Sequence, residues 1–272
     1  MRDAGERWEY GANTDWAGRV VERISGQSLE DFFRANILDP LGMGDTSFLL
    51  RPDLRARLAT CYQRHPDGEL EALADTFPER PAVFGGGGGL FSTGADYVRF
   101  LQMLLGDGQF DGGRVLQPET VALLAENHVG ELDAGDLHSV RPDRSNHGLF
   151  FPGMAKRWGL AGMLTTDLAP TGRSAGSWAW AGMYNTYFWL DPARRIAGFV
   201  LTRSCRFATS RCSISSPNLS ALSTICAGRG RCDGGCPATS PQGPKTWAEG
   251  SRWSPRSPPA RAETRRSGRK MR

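Results

Sequence analysis

Apolar residues recur at helical spacing close to the start of the 272-residue chain. The first apolar face consists of Trp16, Ala17, Val20, Val21 and Ile24. Residues three and four apart share one side of a helix, and Arg19 and Arg23 fall on the other side. Gly26 suits the left-handed position that ends many helices. The pattern therefore predicts an amphipathic helix that ends just before Gly26.

A second helix is predicted directly after the first. Ser28 is its expected start, with Asp31 three residues later as a short variant of the capping box. Its buried face is expected to contain Leu29, Phe32, Phe33 and Ile37. Pro40 lacks a backbone N–H and biases Asp39 away from the helical region, so the helix should end there. A Pro-Leu-Gly-Met turn follows.

Five consecutive glycines, Gly85–Gly89, precede a third predicted helix. A phosphate-binding loop needs a lysine after its glycines, and none follows, so a nucleotide site is not indicated. Thr93 is the expected cap of the helix, and its buried stripe is expected to contain Tyr97, Phe100, Leu101 and Leu104. Pro118 should start a further helix over Glu119–Glu126.

Short strands with short connections are predicted in the second half of the chain. The candidates are Leu160–Thr166, Ser177–Met183, Asn185–Leu190 and Ile196–Thr202. Consecutive strands joined in this way favour an antiparallel meander, with Trp178 and Trp189 in its core. Two further short strands are expected near Thr60–Tyr62 and Leu70–Leu73.

Charge and cysteine content divide the chain near residue 202. Residues 1–202 contain 19 Lys/Arg and 26 Asp/Glu, whereas residues 203–272 contain 14 Lys/Arg and 3 Asp/Glu. Five of the six cysteines lie in the second part, at irregular spacings that fit neither a disulfide framework nor a zinc site. The histidines are scattered as well. We therefore expect no metal and no cofactor.

The first ten residues contain no apolar leader, and no apolar run is long enough for a membrane span. The sequence does not reveal a compartment, and a cytoplasmic location is the default expectation.

The amino-acid sequence of these segments resembles that of the serine hydrolases of the β-lactamase/penicillin-binding-protein superfamily. The resemblance is carried by Tyr10-Gly11-Ala12, by PLGM-x-x-T-x-F ending at Phe48, by GGL-x-ST after the glycines and by Trp180-Ala181-Gly182. It covers about residues 4–202 and is nearest to the class C β-lactamase-like branch with its carboxylesterases and acyltransferases. It implies a partial β-lactamase/transpeptidase-like α+β fold, in which helices pack on an antiparallel sheet beside a helical lobe.

The resemblance also implies roles for individual residues. Tyr10 would sit over the nucleophile and help move its proton. Trp180, Ala181 and Gly182 take the place of Lys-Thr-Gly in β-lactamases, and the backbone N–H of Met183 would be a donor of the oxyanion hole. Ala12 stands where β-lactamases have Asn, and no lysine is available for a β-lactam carboxylate. Both departures favour an esterase or acyltransferase over a true β-lactamase, with a small-molecule ester or amide as substrate.

The nucleophile of the superfamily is the Ser of a Ser-x-x-Lys motif that precedes the Tyr motif. Here nine residues precede Tyr10, and the sole Ser-x-x-Lys is Ser267–Lys270, in a basic context without apolar residues. We therefore expect this chain to lack its nucleophile and to be inactive as it stands. The alternative, from another class, is a non-catalytic remnant or binding protein that keeps the cleft.

Residues 203–272 form a second predicted region, a basic and disordered tail after the domain at 1–202. If GC-rich codons are assumed for Arg203–Ser215, translation that starts at the third base gives Ile-Leu-Pro-Phe-Arg-Asp-Leu-Ala-Val-Leu-Asp-Leu. This second reading frame is similar to the sequence that follows this strand in the family. We interpret the tail as an out-of-frame translation. The rival interpretation is a basic disordered tail that binds nucleic acid or acidic partners. Trp247 and Trp253 would be its residues for base stacking, and it contains no recognisable binding module. We therefore expect no nucleic-acid partner.

Overall fold

Helices dominate the first half of the chain, and strands dominate the second half. The computed structural model describes residues 3, 5–65, 67, 69–140 and 145–205, and the backbone of 224–226. These residues lie in one compact unit, Met1–Arg229, and the second unit, Gly230–Arg272, falls outside the described residues. Within the described part, no helix has the length and apolar content needed to cross a membrane.

The α-helices of the described part begin and end close to the predicted positions, except for the short helix at Pro52–Arg55, which was not predicted. They are α1 (Asn13–Ser25), α2 (Leu29–Phe33), α3 (Pro52–Arg55), α4 (Gly94–Leu105) and α5 (Pro118–Leu124), and one π-helical turn (Arg34–Leu38) continues α2. The predicted caps are confirmed at Ser28 and Thr93. Each hydroxyl accepts a hydrogen bond from the backbone N–H three residues later, at 3.1 Å and 3.2 Å respectively.

The strands of the described part form a main sheet, a smaller sheet and a hairpin. They are β1 (Cys61–Arg64), β2 (Leu70–Leu73), β3 (Gln109–Phe110), β4 (Gly113–Arg114), β5 (Lys156–Trp158), β6 (Met163–Thr165), β7 (Trp178–Ala181), β8 (Tyr187–Asp191), β9 (Ile196–Val200), β10 (Ser204–Cys205) and β11 (Thr224–Cys226). The main sheet has the order β11-β9-β8-β7-β6-β5, and all its pairs are antiparallel. The predicted meander is thus confirmed, although β5 and β11 were not predicted.

The two faces of the main sheet belong to different apolar cores. Leu164 pairs with Trp178, which pairs with Leu190, so these three side chains share one face and pack with α4. Met163, Ala179 and Trp189 alternate with them and pack on the other face, with Phe150 and Phe151. Trp178 and Trp189 are buried, as predicted.

Two buried carboxylates hold the segment that follows the Pro-Leu-Gly-Met turn. Glu30 accepts hydrogen bonds from the Ser47 hydroxyl at 2.9 Å and from the Phe48 N–H at 2.7 Å. Asp96, at the start of α4, accepts one from the Thr46 hydroxyl at 2.9 Å. These bonds satisfy polar groups that water cannot reach. Thr46 and Phe48, the Thr and Phe of the PLGM-x-x-T-x-F motif, therefore have a structural role.

Strand pairing continues past the predicted domain boundary at residue 202. Strand β10 pairs in parallel with β1, and β11 pairs with β9. The boundary itself, and the interpretation of residues 203–272 as out of frame, stay predictions. Most of that region lies outside the described residues.

Candidate active site

Tyr10 and Trp180 lie in contact although 170 residues separate them along the chain. Tyr10 precedes α1, and Trp180 lies in β7. The indole Nε1–H of Trp180 donates a hydrogen bond of 3.2 Å to the Tyr10 hydroxyl, and the two ring centroids are 5.0 Å apart. Tyr10 is 53% exposed, so its hydroxyl lies at a surface that a small molecule can reach.

Further aromatic rings surround this pair. We call Trp8, Tyr10, Phe150, Trp158 and Trp180 the aromatic cluster. Trp158 stands edge-on to Trp180 at 4.5 Å and lies 6.1 Å from Tyr10, and Trp8 lies 4.8 Å from Trp158. Phe150 is buried behind Trp180 at 5.9 Å. The phenol and indole polar groups therefore sit within a mostly apolar surface, which suits contact with an apolar group.

The glycine run positions the start of α1 beside this cluster. Gly86 passes so close to α1 that a Cβ atom there would lie 2.1 Å from the Thr14 carbonyl oxygen. The Gly87 N–H donates a 2.9 Å hydrogen bond to Asp15. The glycines thus let two backbone segments approach closely, and this contact fixes the helix that directly follows the Tyr10 loop.

A tight turn follows β7 and presents Met183. The Gly182 N–H donates to the Thr186 carbonyl at 2.7 Å, and the Asn185 N–H donates to the Gly182 carbonyl at 3.0 Å. Asn185 has a φ of 59°, a left-handed conformation that Asn tolerates better than most residues. The Met183 N–H donates no hydrogen bond to any described residue. It is therefore free to donate to a bound group.

Asn185 is a residue of this region that the sequence interpretation did not single out. It is fully buried, and its side-chain amide donates to the Ser204 carbonyl at 2.8 Å. Its side-chain oxygen accepts a 2.9 Å bond from the Tyr187 hydroxyl. An Asn between two aromatic strands is the signal that could have indicated a left-handed turn here.

Comparison with known proteins identifies the fold family. The β-lactamase family model matches residues 1–213.

The chain belongs to the β-lactamase family.

Similar family members include esterases and acyltransferases. Lovastatin esterase from Penicillium rubens is 33% identical over 214 residues, which cover 71% of this chain and 50% of the esterase. Monacolin J acid methylbutanoyltransferase from Aspergillus terreus is 34% identical over 202 residues, with 71% and 48% covered. The structure of simvastatin synthase from A. terreus is similar with a TM-score of 0.68 at 29% identity, covering 81% of this chain and 56% of the synthase. The chain thus spans about half the length of the curated relatives it matches.

Family membership confirms the resemblance and the partial β-lactamase/transpeptidase-like α+β fold that it implied. Among the predicted site residues, the structure brings Tyr10 and Trp180 together, and Ala181, Gly182 and Met183 follow Trp180 into the turn. The Ser267–Lys270 motif lies outside the described residues. Trp8, Phe150 and Trp158 were not predicted as part of the site.

The described residues contain no cluster of three or more His, Cys, Asp or Glu side chains that could hold a metal ion. His138 and His147 do lie together, with ring centroids 5.5 Å apart. Two imidazoles without a third ligand do not make a structural zinc site.

Proposed function

We propose that this chain carries the tyrosine and aromatic side of an acyl-transfer site of the esterase or acyltransferase type, acting on small-molecule esters. The observation that supports it most directly is the 3.2 Å hydrogen bond from the Trp180 indole to the Tyr10 hydroxyl, within the aromatic cluster. Similarity to lovastatin esterase and to monacolin J acid methylbutanoyltransferase supports an ester with an apolar acyl group as the substrate class.

Tyr10 is the proposed proton-transfer residue. Its oxygen accepts the indole N–H, so the phenolic proton is directed away from Trp180 and can be donated to an oxygen of the substrate. Proton transfer by a positioned side chain contributes about 10²–10⁴-fold to a rate. Trp180 therefore acts as a positioning residue for the Tyr10 hydroxyl.

Met183 is the proposed oxyanion donor, through its backbone N–H. An oxyanion hole needs a donor that is already oriented and is not occupied by another acceptor. The turn bonds of Gly182 and Asn185 hold the backbone on both sides of Met183. The ester oxygen would bind at this N–H as negative charge develops on it.

Antibiotic hydrolysis is not the function that this site favours. Trp180 provides an apolar ring and one neutral donor where a β-lactam carboxylate would require a cation. Ala12 supplies no side-chain amide. An uncharged ester fits the site better than an anionic β-lactam.

We further propose that this chain alone does not turn over esters. Its sequence contains Ser-x-x-Lys once, at Ser267–Lys270, in a basic stretch without helical periodicity. An acyl-enzyme requires an activated nucleophile, and no other Ser in the sequence has a Lys one helical turn later. The second candidate function, binding of an ester without chemistry, is favoured by this observation.

Ester turnover, active-site labelling and binding test these proposals together. The full chain is incubated with p-nitrophenyl butyrate and separately with a fluorophosphonate probe whose attachment site is mapped by mass spectrometry. We expect neither turnover nor a labelled Ser from a folded sample. Butyrate ester binding, followed by tryptophan fluorescence, should weaken at least fivefold in Trp180→Ala.

The control variant is Trp16→Ala, because Trp16 is 73% exposed on α1 and does not belong to the aromatic cluster. It should leave ester binding unchanged. A labelled Ser with turnover would show that the proposal of inactivity is wrong. Equal binding by the wild type, Trp16→Ala and Trp180→Ala would refute the aromatic cluster as the ester site.

A further inference from the structure

Two cysteine thiols lie in contact at a place away from the aromatic cluster. The sulfur atoms of Cys61 in β1 and Cys205 in β10 are 3.1 Å apart, although 144 residues separate them in sequence. Both are free thiols. Cys61 is buried and Cys205 is partly exposed, so Cys205 is the residue of the pair that a reagent would meet first.

Backbone pairing holds the two thiols near each other. Tyr62 and Gln63 of β1 are aligned with Ser204 and Cys205 of β10 in a parallel ladder. The Tyr62 N–H donates a 2.9 Å hydrogen bond to the Arg203 carbonyl. The contact therefore depends on strand pairing and not on two side-chain rotamers alone.

The Arg203 side chain adds a further anchor to the start of β10. Its guanidinium lies 5.0 Å from the centroid of the Phe77 ring, within the range of a cation–π interaction. It also donates a hydrogen bond to the Ala59 carbonyl, just before β1. Both contacts keep β10 beside β1.

We propose that Cys61 and Cys205 are a site of disulfide formation, and that a disulfide oxidant such as oxidised glutathione closes it. The Cys205 thiolate attacks one sulfur of glutathione disulfide, and a glutathione thiolate leaves. The Cys61 thiolate then attacks the Cys205 sulfur of the mixed disulfide and releases the second glutathione thiolate. The two protons from the cysteines go to the two glutathione thiolates, and the two cysteines lose two electrons.

The reaction should be slow at neutral pH and faster at alkaline pH. Burial, followed by the neighbouring Cys61 thiol, raises the pKa of the Cys205 thiol to about 11. The thiolate is the attacking species, so its fraction rises about tenfold per pH unit below that pKa. We expect the rate of crosslinking to follow this rise between pH 7 and pH 9.

The proposed disulfide would also restrain the turn after Met183. Ser204, next to Cys205, donates its N–H to the Tyr184 carbonyl at 3.2 Å and accepts the Asn185 side-chain amide at 2.8 Å. The Thr202 hydroxyl donates to the Tyr184 carbonyl at 2.9 Å. A covalent link between β10 and β1 fixes the strand that supports this turn. This consequence bears on the proposed oxyanion donor, but disulfide formation does not depend on the proposed function.

Peptide mapping after oxidation tests the inference. The fully reduced full chain is treated with oxidised glutathione, digested and analysed for linked peptides. We expect a Cys61–Cys205 linkage as the main product, with a mass loss of about 2 Da that dithiothreitol reverses. The link closes a long loop, so the Tm should rise by roughly 5–15 °C. Hydrogen exchange of the amides at 183–185 should slow in the oxidised form.

Cys205→Ser should abolish the linkage and the rise in Tm, whereas the matched variant Cys212→Ser should retain both. Both variants are first shown to be folded by circular dichroism. Failure to form the linkage at pH 9, or equal linkage of Cys61 to Cys212, Cys226, Cys232 and Cys236, would overturn the inference. Linkage without a change in exchange at 183–185 would refute the restraint of the turn. Neither result depends on ester binding, so the proposed function is tested separately.

Discussion

Helices α1 and α4 have similar apolar periodicity but opposite environments. In α4, Leu101 is 0% exposed and Leu104 is 4% exposed, and both pack in the core beneath the main sheet. In α1, Trp16 is 73% exposed and Ile24 is 81% exposed. Gly18 is the buried residue of α1. Val21 packs, partly buried, against the cluster of Leu29, Phe48 and Phe84. The apolar side chains of α1 are thus mostly exposed, whereas those of α4 are mostly buried.

The difference shows what decides the buried side of α1. A Cβ atom on Gly18 would lie 3.1 Å from the Gly86 backbone, so the helix and the glycine run touch through their main chains. Such an approach requires glycine at position 86 and leaves little room for a side chain at position 18. The contact fixes the helix whichever face carries the apolar residues. Periodicity therefore identifies an apolar face but does not tell what covers it.

The largest expected difference in stability is between truncation of an apolar residue in α4 and truncation of one in α1. Leu101→Ala should lower the free energy of unfolding by about 3 kcal/mol, because it removes a fully buried side chain and leaves a cavity. Ile24→Ala should change it by less than about 0.5 kcal/mol, since the side chain is exposed. Urea unfolding of the two variants and the wild type measures both values. A loss above about 1.5 kcal/mol in Ile24→Ala would show that the α1 face is covered in solution.

An intermediate effect is expected where α1 meets the glycine run. Gly86→Ala places a methyl group against the Thr14 carbonyl, so either α1 or the glycine run must move, at a cost of about 2 kcal/mol. Gly88→Ala is the matched control, because nothing lies within 4 Å of a Cβ atom there. It should be neutral or stabilise by up to about 1 kcal/mol. Equal unfolding free energies for the two variants would contradict the close approach.

Local patterns in the sequence were sufficient for most of the fold. Ser28 and Thr93 cap their helices as expected, because a cap is decided by neighbouring residues. The meander was also predicted from its aromatic strands. Strand β5 was not predicted because Lys156 and Arg157 interrupt the alternation of apolar residues. Lys156 is nevertheless buried in the structure.

The candidate site was harder to predict than the fold. The family resemblance placed Tyr10 and Trp180 at one site, and the structure shows them in contact. Trp8 and Trp158 contact the site through tertiary packing. No regular spacing in the sequence indicates these contacts. Asn185 likewise owes its role to Ser204, nineteen residues away. Such contacts depend on how separate elements pack, and local sequence patterns do not contain that information.

The smallest expected change in stability concerns the N-cap positions, which directly precede α1 and α4. The Thr93 hydroxyl caps α4, so Thr93→Ala should cost about 1 kcal/mol in unfolding free energy. Ala12 occupies the same position before α1 but makes no side-chain cap, and its backbone, with φ −88° and ψ 25°, is not extended. A capping side chain reaches the free N–H groups from an extended backbone, so Ala12→Asn should change the unfolding free energy by less than about 0.5 kcal/mol. Thermal and urea unfolding of both variants provide the test. Stabilisation by Ala12→Asn of about 1 kcal/mol would mean that the Tyr10 loop rearranges into an extended cap, and the position of the Tyr10 hydroxyl against Trp180 would then have to change with it.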